Sequence, residues 1–361
     1  MKKIAIIGST GSIGQSALEV IRLHPEEFSV CALIAKSNGM ELARQAREFR
    51  PAETALADDC GAEGVDECLR ACGADVCLSA ASGLAGLQPT LTAIDCGMEI
   101  ALANKETLVA AGDLIMPLVR EKGVTLRPVD SEHSAIAQCL RSGRPAEISR
   151  LIITGSGGPF REWSAERLVT ATAVDALKHP TWSMGRKITV DSATLANKAL
   201  EVMEAHHLFA MPYDKISVYI HPQSTVHGAV EFADGAVVAQ LANPDMRLPI
   251  LYALSGENRW KTGVEPLTLE KMANLTFTAP DFGKFPMLRL GLSAGRKGGL
   301  YPAVYSAANE MAVEMFLEGK IGFPDIARRV ARALEQVPAL PLTLENIKIA
   351  DAVTRKLVRS L

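Results

Sequence analysis

The 361-residue sequence predicts an α/β protein in three parts: an N-terminal domain built on a parallel sheet, a central α+β domain and a C-terminal helical bundle. Three observations predict it. Short apolar runs alternate with helical stretches through the first third, the pattern of a parallel sheet covered by helices. From about Arg150 the pattern becomes mixed. From Ala303 onward apolar residues recur at helical spacing with no strand-like run. Roughly 150 residues per domain gives the same count, two or three.

The elements follow in order. Residues 3–8 (KIAIIG) are a buried strand, 15–23 a helix ending before Pro25, and 28–35 (FSVCALIA) a second strand. Residues 40–50 are a helix stopped by Pro51; 75–81 and 98–103 are strands. A helix over 107–122 carries Gly112 and Pro117, and a strand over 124–129 ends at Pro128-Val129-Asp130. In the central part, 151–153 is a strand, TGSGGP at 154–159 a Gly-rich turn, HPTWSMGRK at 179–187 an irregular loop and 192–208 a helix. Short strands follow at 216–220, 225–232 and 236–241, the last two joined by Asp234-Gly235, a hairpin signal. Pro, Gly and basic residues cluster near 279–299 and read as a linker. Helical spacing returns at 307–317, 325–335 and 344–361. The expected parts are therefore 1–149, 150–279, a linker at 280–299, and 300–361.

The composition, 48% hydrophobic and 22% charged, is that of a globular chain and excludes a disordered one. The formal charge is −3, from 38 Lys and Arg against 41 Asp and Glu, so there is no basic field for a nucleic-acid backbone. A small anion remains compatible, since it needs only a local pocket. No apolar run approaches the ~18 residues of a membrane span. The start, MKKIAIIGSTG, lacks the ~7–15 apolar residues of a signal peptide. A cytoplasmic protein is expected. All seven cysteines lie between Cys31 and Cys139, without C-x-x-C pairs, and read as reduced thiols packed like small hydrophobes.

Gly8-Ser9-Thr10-Gly11-Ser12-Ile13-Gly14 follows a strand and opens a helix. Glycines there allow a tight turn and bring backbone N–H groups close to a pyrophosphate, which then sits on the helix N-terminus. A Rossmann-like dinucleotide site is expected. The second strand ends Ala35-Lys36-Ser37-Asn38. A carboxylate there would hold a ribose 2′-OH; a cation with two small polar groups suits a 2′-phosphate, which favours NADPH.

Asp130-Ser131-Glu132-His133 stands at a strand end, where open α/β sheets bind ligands. Its two carboxylates repel unless a proton or cation lies between them. Mg²⁺ or Mn²⁺ would meet that need with oxygen ligands. A helix N-cap explains Asp130 and Ser131 equally well. Three further segments bear on the choice. Ala103-Asn104-Lys105-Glu106 follows another strand; the 154–159 turn offers an anion nest; and Asn197 and Glu201, one helical turn apart, share a face beside Lys198.

With these strings in order, the sequence resembles the 1-deoxy-D-xylulose 5-phosphate reductoisomerase family over essentially its whole length. The strings are GSTGSIG at Gly8, ALANKE at Ala101, PVDSEH at Pro128, LIITGSGGPFR at Leu151, HPTWSMGRKITVDSAT at His179, NKALE at Asn197, IHPQSTVHGAVEF at Ile220 and NPDMRLPILYAL at Asn243. The resemblance implies a homodimer whose subunits carry an NADPH domain, a catalytic domain with a mobile lid near 179–187, a linker and a helical bundle. It implies conversion of 1-deoxy-D-xylulose 5-phosphate and NADPH to 2-C-methyl-D-erythritol 4-phosphate and NADP⁺ in non-mevalonate isoprenoid synthesis. The steps implied are a retro-aldol cleavage and re-addition, then hydride transfer to the resulting aldehyde.

Carried onto this sequence, the metal ligands fall on Asp130, Glu132 and Glu201, for Mg²⁺, Mn²⁺ or Co²⁺. Substrate-backbone contacts fall on Lys105, Ser131 and Glu132, with Lys105, Asp130, Glu132 and Glu201 the catalytic set. Phosphate contacts fall on Ser156, His179, Ser192, Asn197 and Lys198, and the lid aromatic on Trp182 with Met184 beside it. Cofactor contacts fall on Thr10, Gly11, Ser12, Ile13, Lys36, Ser37, Asn38, Asn104, Glu106 and Gly185. Three positions depart from the family pattern. Ala199 replaces the usual Gly of N-K-G-L-E, Lys36-Ser37-Asn38 replaces a Gly-basic-Asn order, and Thr181 stands where Asn is common. Ala199 is expected to be tolerated, since alanine favours a helix. The rival readings are a metal-free NADP-dependent dehydrogenase of the semialdehyde type, which would not need the three carboxylates together, and an inactive NADPH-binding scaffold.

Overall fold

The computed structural model describes residues 1–182 and 184–361. The chain groups into two compact units. One comprises Met1–Thr107, Asp113–Ser134 and Asp245–Glu265; the other Leu108–Gly112, Ala135–Pro244 and Pro266–Leu361.

The first unit is built on six strands: β1 (Lys2–Ile7), β2 (Phe28–Ala35), β3 (Glu53–Leu56), β4 (Val76–Ser79), β5 (Glu99–Leu102) and β6 (Leu126–Pro128). Their order is β3-β2-β1-β4-β5-β6, and every pairing is parallel. β1 and β2 are the expected apolar runs, buried on both faces as strands covered by helices must be. Helices Ser12–Leu23 and Arg247–Leu254 pack with them: Leu18, Ile21, Ile250 and Leu254 share one core with Ile4, Ile6 and Leu33. The strand order reverses between β1 and β4, the switch point at which such sheets bind ligands beyond their carboxyl ends.

The second unit holds a mixed sheet of β7 (Ile148–Gly155), β8 (Ile216–Ile220), β9 (Val226–Phe232) and β10 (Val237–Leu241), in the order β10-β9-β7-β8. β7 pairs parallel with β8 and antiparallel with β9, and β9 with β10 forms the expected hairpin. Helix Ala196–Phe209 packs on this sheet through Val202 and Ala205, against Leu151, Ile153 and Val230. Helices Pro286–Lys297, Tyr301–Leu317, Phe323–Leu334 and Leu344–Ser360 complete the unit.

Three expectations change. Residues 280–299 are not a linker, because helix Pro286–Lys297 occupies most of them. Pro286 opens the helix, where its missing N–H costs nothing. Gly291 and Gly295 are close-packing positions: a Cβ on Gly291 would stand 2.4 Å from the Ala199 Cβ, and one on Gly295 2.8 Å from the Tyr213 ring. The linear boundary near 150 is replaced by an exchange of chain between the units, since Arg247–Leu254 returns its apolar face to the first core. The single helix expected over 192–208 is two, Arg186–Thr194 and Ala196–Phe209, broken at Leu195 with φ 61°. Strand β3 and helices Ala57–Ala71 and Leu87–Asp95 carry no clear period in the sequence; Gly61, with φ 67°, kinks the first of these helices.

Candidate active site

The dinucleotide turn follows from packing. Gly8 has φ +83°, and a Cβ there would lie 2.6 Å from the Ala80 carbonyl oxygen; on Gly14 it would lie 2.4 Å from that of Gly8. Both positions exclude any side chain. The turn therefore hugs the start of helix Ser12–Leu23, whose N-cap is Gly11 with no capping side chain. Its first N–H groups stay open to an anion. Thr10, Gly11, Ser12 and Ile13 line this end. Lys36, Ser37 and Asn38 follow β2 and are exposed, and Asn38 caps helix Gly39–Phe49 by accepting from the Glu41 N–H at 3.1 Å.

Asn104 has a structural use as well. It is 2% exposed, and its amide is committed to the scaffold. Oδ1 accepts from the Thr107 N–H at 2.8 Å and hydroxyl at 2.7 Å, while Nδ2 donates to the Gly83 and Ala81 carbonyls. It caps helix Lys105–Lys122 and pins the loop after β4, presenting Lys105 and Glu106 in the first turn.

Lys105 is buried, with Nζ 2.6 Å from Asp130 Oδ2. His133, fully buried, places Nδ1 3.6 Å from the same oxygen. Burial pushes the Asp130 carboxyl up, but Lys105 and His133 outweigh it and hold it well below the usual carboxylate range. Asp130 also accepts from the Ser131 N–H at 3.2 Å as helix Ser131–Leu140 begins. The Ser131 hydroxyl donates to Glu132, and Asp130 and Glu132 bring carboxylate oxygens within 4.8 Å of each other. This is a hard, oxygen-rich, anionic pair suited to a divalent cation.

In the second unit Glu201 is fully buried. Lys198 Nζ donates to it at 2.6 Å and to the Thr154 carbonyl at 2.8 Å, and Asn197 Nδ2 donates to its other oxygen. The expected shared face of Asn197 and Glu201 is therefore real. The 154–159 turn needs its glycines for this packing. A Cβ on Gly155 would meet the Lys198 side chain at 2.7 Å, and one on Gly158, φ +68°, would stand 2.6 Å from the Ser192 carbonyl oxygen.

His179 gathers the remaining polar groups. Nε2 lies 3.0 Å from Ser156 Oγ and 3.1 Å from Ser192 Oγ, while Nδ1 accepts from the Thr181 and Trp182 N–H groups at 3.2 and 2.9 Å. An Nδ1 that accepts twice assigns the proton of the neutral ring to Nε2. Burial, then Lys198 and Arg161, push its pKa down to about 4. Trp182 lies 6.0 Å, centroid to centroid, from the His227 ring. Gly185 is the N-cap of helix Arg186–Thr194. The expected lid includes Ser183, which lies outside the described residues.

The family models agree along the chain. Models of 1-deoxy-D-xylulose 5-phosphate reductoisomerase match residues 4–60 and 59–112, and its C-terminal domain models match 126–209 and 241–357. The 1-deoxy-D-xylulose 5-phosphate reductoisomerase of Chlorobaculum tepidum is 50% identical, with 100% of both chains covered. That of Rippkaea orientalis is 48% identical over 99% of this chain and 95% of its own. The chain belongs to the 1-deoxy-D-xylulose 5-phosphate reductoisomerase family.

Solved reductoisomerases share the fold throughout. The Zymomonas mobilis protein in complex with NADPH superposes with a TM-score of 0.91 at 40% identity, covering 99% of this chain and 98% of that one. A reductoisomerase in complex with NADPH, fosmidomycin and magnesium gives 0.95 at 39% identity, covering 100% and 98%. Sequence reading of this reductoisomerase chain left several buried polar residues unassigned, among them His133, Asp191 and Asn309. His133 sat in the quoted PVDSEH string, three residues from Asp130, and that spacing was its signal. Asp191 and Asn309 bond at 2.7 Å from positions 118 residues apart, and nothing in the sequence pairs them.

Proposed function

We propose that this chain converts 1-deoxy-D-xylulose 5-phosphate and NADPH to 2-C-methyl-D-erythritol 4-phosphate and NADP⁺ with a divalent metal. One observation carries the reading beyond family membership. Each unit keeps a buried lysine on a carboxylate at 2.6 Å, Lys105 on the largely buried Asp130 and Lys198 on the fully buried Glu201. Buried ion pairs are a poor way to stabilise a fold, so a scaffold without chemistry would have little use for two of them.

Asp130, Glu132 and Glu201 would hold Mg²⁺ or Mn²⁺, whose preference for oxygen donors fits all three. When bound, the metal supplies Lewis-acid polarisation of the ketose oxygens. Lys105 keeps Asp130 ionised and offers an ammonium beside the reacting carbons. Ser131 and Glu132 orient the substrate backbone. Ser156, Ser192, Asn197, Lys198 and the Nε2–H of neutral His179 grip the phosphate and anchor the chain that reacts. Trp182 closes over the site and excludes water. Thr10, Gly11, Ser12 and Ile13 bind the pyrophosphate. Lys36, Ser37 and Asn38 bind the 2′-phosphate, and Asn104, Glu106 and Gly185 place the nicotinamide end. We assign the dinucleotide to the parallel-sheet unit and the phosphate grip to the mixed-sheet unit, in a cytoplasmic homodimer whose oligomeric state light scattering tests.

The deciding assay is NADPH oxidation with 1-deoxy-D-xylulose 5-phosphate, with and without Mg²⁺ or Mn²⁺. Turnover should require the metal and stop with chelator. Glu132→Gln and Glu201→Gln should abolish turnover while NADPH still binds. Full activity of both variants in chelator-treated enzyme would sink the metal assignment, and equal kcat/KM for NADH and NADPH the 2′-phosphate assignment.

A further inference from the structure

Helix Gly39–Phe49 buries two side chains, Leu42 and Gln45. Gln45 is 0% exposed, although an apolar residue there would avoid the cost of desolvating an amide. Its Nε2 donates to the Ser9 carbonyl oxygen at 2.9 Å and to Glu41 Oε1 at 3.3 Å. Both partners are acceptors, so the site requires a group with two N–H donors; glutamate would present only oxygens to them, and leucine nothing. Ser9 is the second residue of the Gly8–Gly14 turn, and its N–H is fixed on the Ile34 carbonyl at 2.9 Å. Glu41 is held from the other side. Its N–H donates to Asn38 Oδ1 at 3.1 Å, and its carboxylate receives Arg44 through two bonds of 2.8 and 2.7 Å. One side chain therefore joins the segment assigned to the 2′-phosphate to the turn assigned to the pyrophosphate.

We infer that Gln45 is a positioning residue for the dinucleotide: it fixes the separation between the Ser9 turn and the Lys36–Asn38 segment, so that the two phosphate groups of NADPH are met together. The inference rests on the NADPH reading above. Gln45 touches no reacting atom, and its effect belongs to cofactor affinity.

The test measures NADPH and NADH dissociation constants by fluorescence, with KM for the ketose and kcat at saturating NADPH, in Gln45→Glu, Gln45→Leu and Glu41→Ala. Loss of the link is expected to weaken NADPH about tenfold in the Gln45 variants, the scale of one or two hydrogen bonds. NADH, without a 2′-phosphate, should weaken less, so the preference for NADPH narrows, while KM for the ketose holds within twofold. Glu41→Ala, on a half-buried side chain, should shift NADPH the same way by a smaller factor. Gln45 variants with a lowered Tm but wild-type NADPH affinity and preference overturn the inference. If neither Gln45 variant folds, Glu41→Ala decides, and wild-type affinity there overturns it. A wild-type enzyme that does not bind NADPH overturns the cofactor reading and this inference together.

Discussion

Lys198 and Glu201 show what single residues contribute. Both are buried and meet at 2.6 Å, so removing one charge takes away the opposite charge that offsets the other's burial. Lys198→Met is expected to cost on the order of 3–5 kcal/mol in chemical denaturation, with loss of turnover. The double variant Lys198→Met/Glu201→Gln should recover much of the stability and none of the activity. Recovery of both would remove the pair from the chemistry. His179 gives a pH signature. Its pKa lies near 4 in the fold against an ordinary 6.5, chiefly through burial, so the unfolded chain binds the proton first as pH falls. Its contribution to stability is complete above about pH 6.5 and is lost on acidification toward pH 4. Unfolding free energies across that window should be flatter in His179→Gln than in wild type. His206 and His221 are tied to structure. His221 donates from Nδ1 to the Thr276 carbonyl and accepts two backbone N–H groups at Nε2, and His206 stacks on Tyr213.

At the scale of elements, the contact between helices Ala196–Phe209 and Pro286–Lys297 makes sense of Ala199. This residue stands where the family usually has glycine, and its methyl faces Gly291. A second methyl on Gly291 would lie 2.4 Å away, far inside contact distance. Gly291→Ala should therefore destabilise by roughly 1–3 kcal/mol through overpacking, and Ala199→Gly in the same chain should restore most of it. A thermal-denaturation double-mutant cycle reads this coupling; strictly additive effects would deny the contact. The same helix explains why sequence reading took 280–299 for a linker. Pro286 and its glycines look like breakers locally, but the first stands at the helix start and Gly291 and Gly295 stand where two helices touch. Elements with a clear local signal were legible: β1, β2, β8 and the β9–β10 hairpin fall where short apolar runs and turn chemistry put them. Leu195 was not, because a single left-handed residue between two helices leaves no mark on the spacing of apolar residues.

At the scale of the whole chain, a net charge of −3 coexists with sites for anions because the cations that matter are few and placed. Thiol chemistry gives a simple global check. Cys31, Cys68, Cys72, Cys77 and Cys139 are buried, while Cys60 and Cys96 are exposed. Burial pushes the Cys68 thiol up to about 12. Alkylation of the native protein followed by mass analysis should modify two thiols rapidly and five only on unfolding, without loss of NADPH binding. Rapid labelling of all seven would contradict the described packing.

The residue strings alone determined the family, the α/β class, the Gly8–Gly14 turn and the identity of the carboxylates and lysines, because these are local: a turn needs its glycines in place, and a helical face is set by a spacing of three or four. The pairing of Lys105 with Asp130, the commitment of Asn104 to its scaffold, the bond between Asp191 and Asn309 and the link from Gln45 to Ser9 were decided only in three dimensions. Each joins groups brought together by strand order and helix packing, and neither composition nor periodicity encodes which distant donor will meet which acceptor.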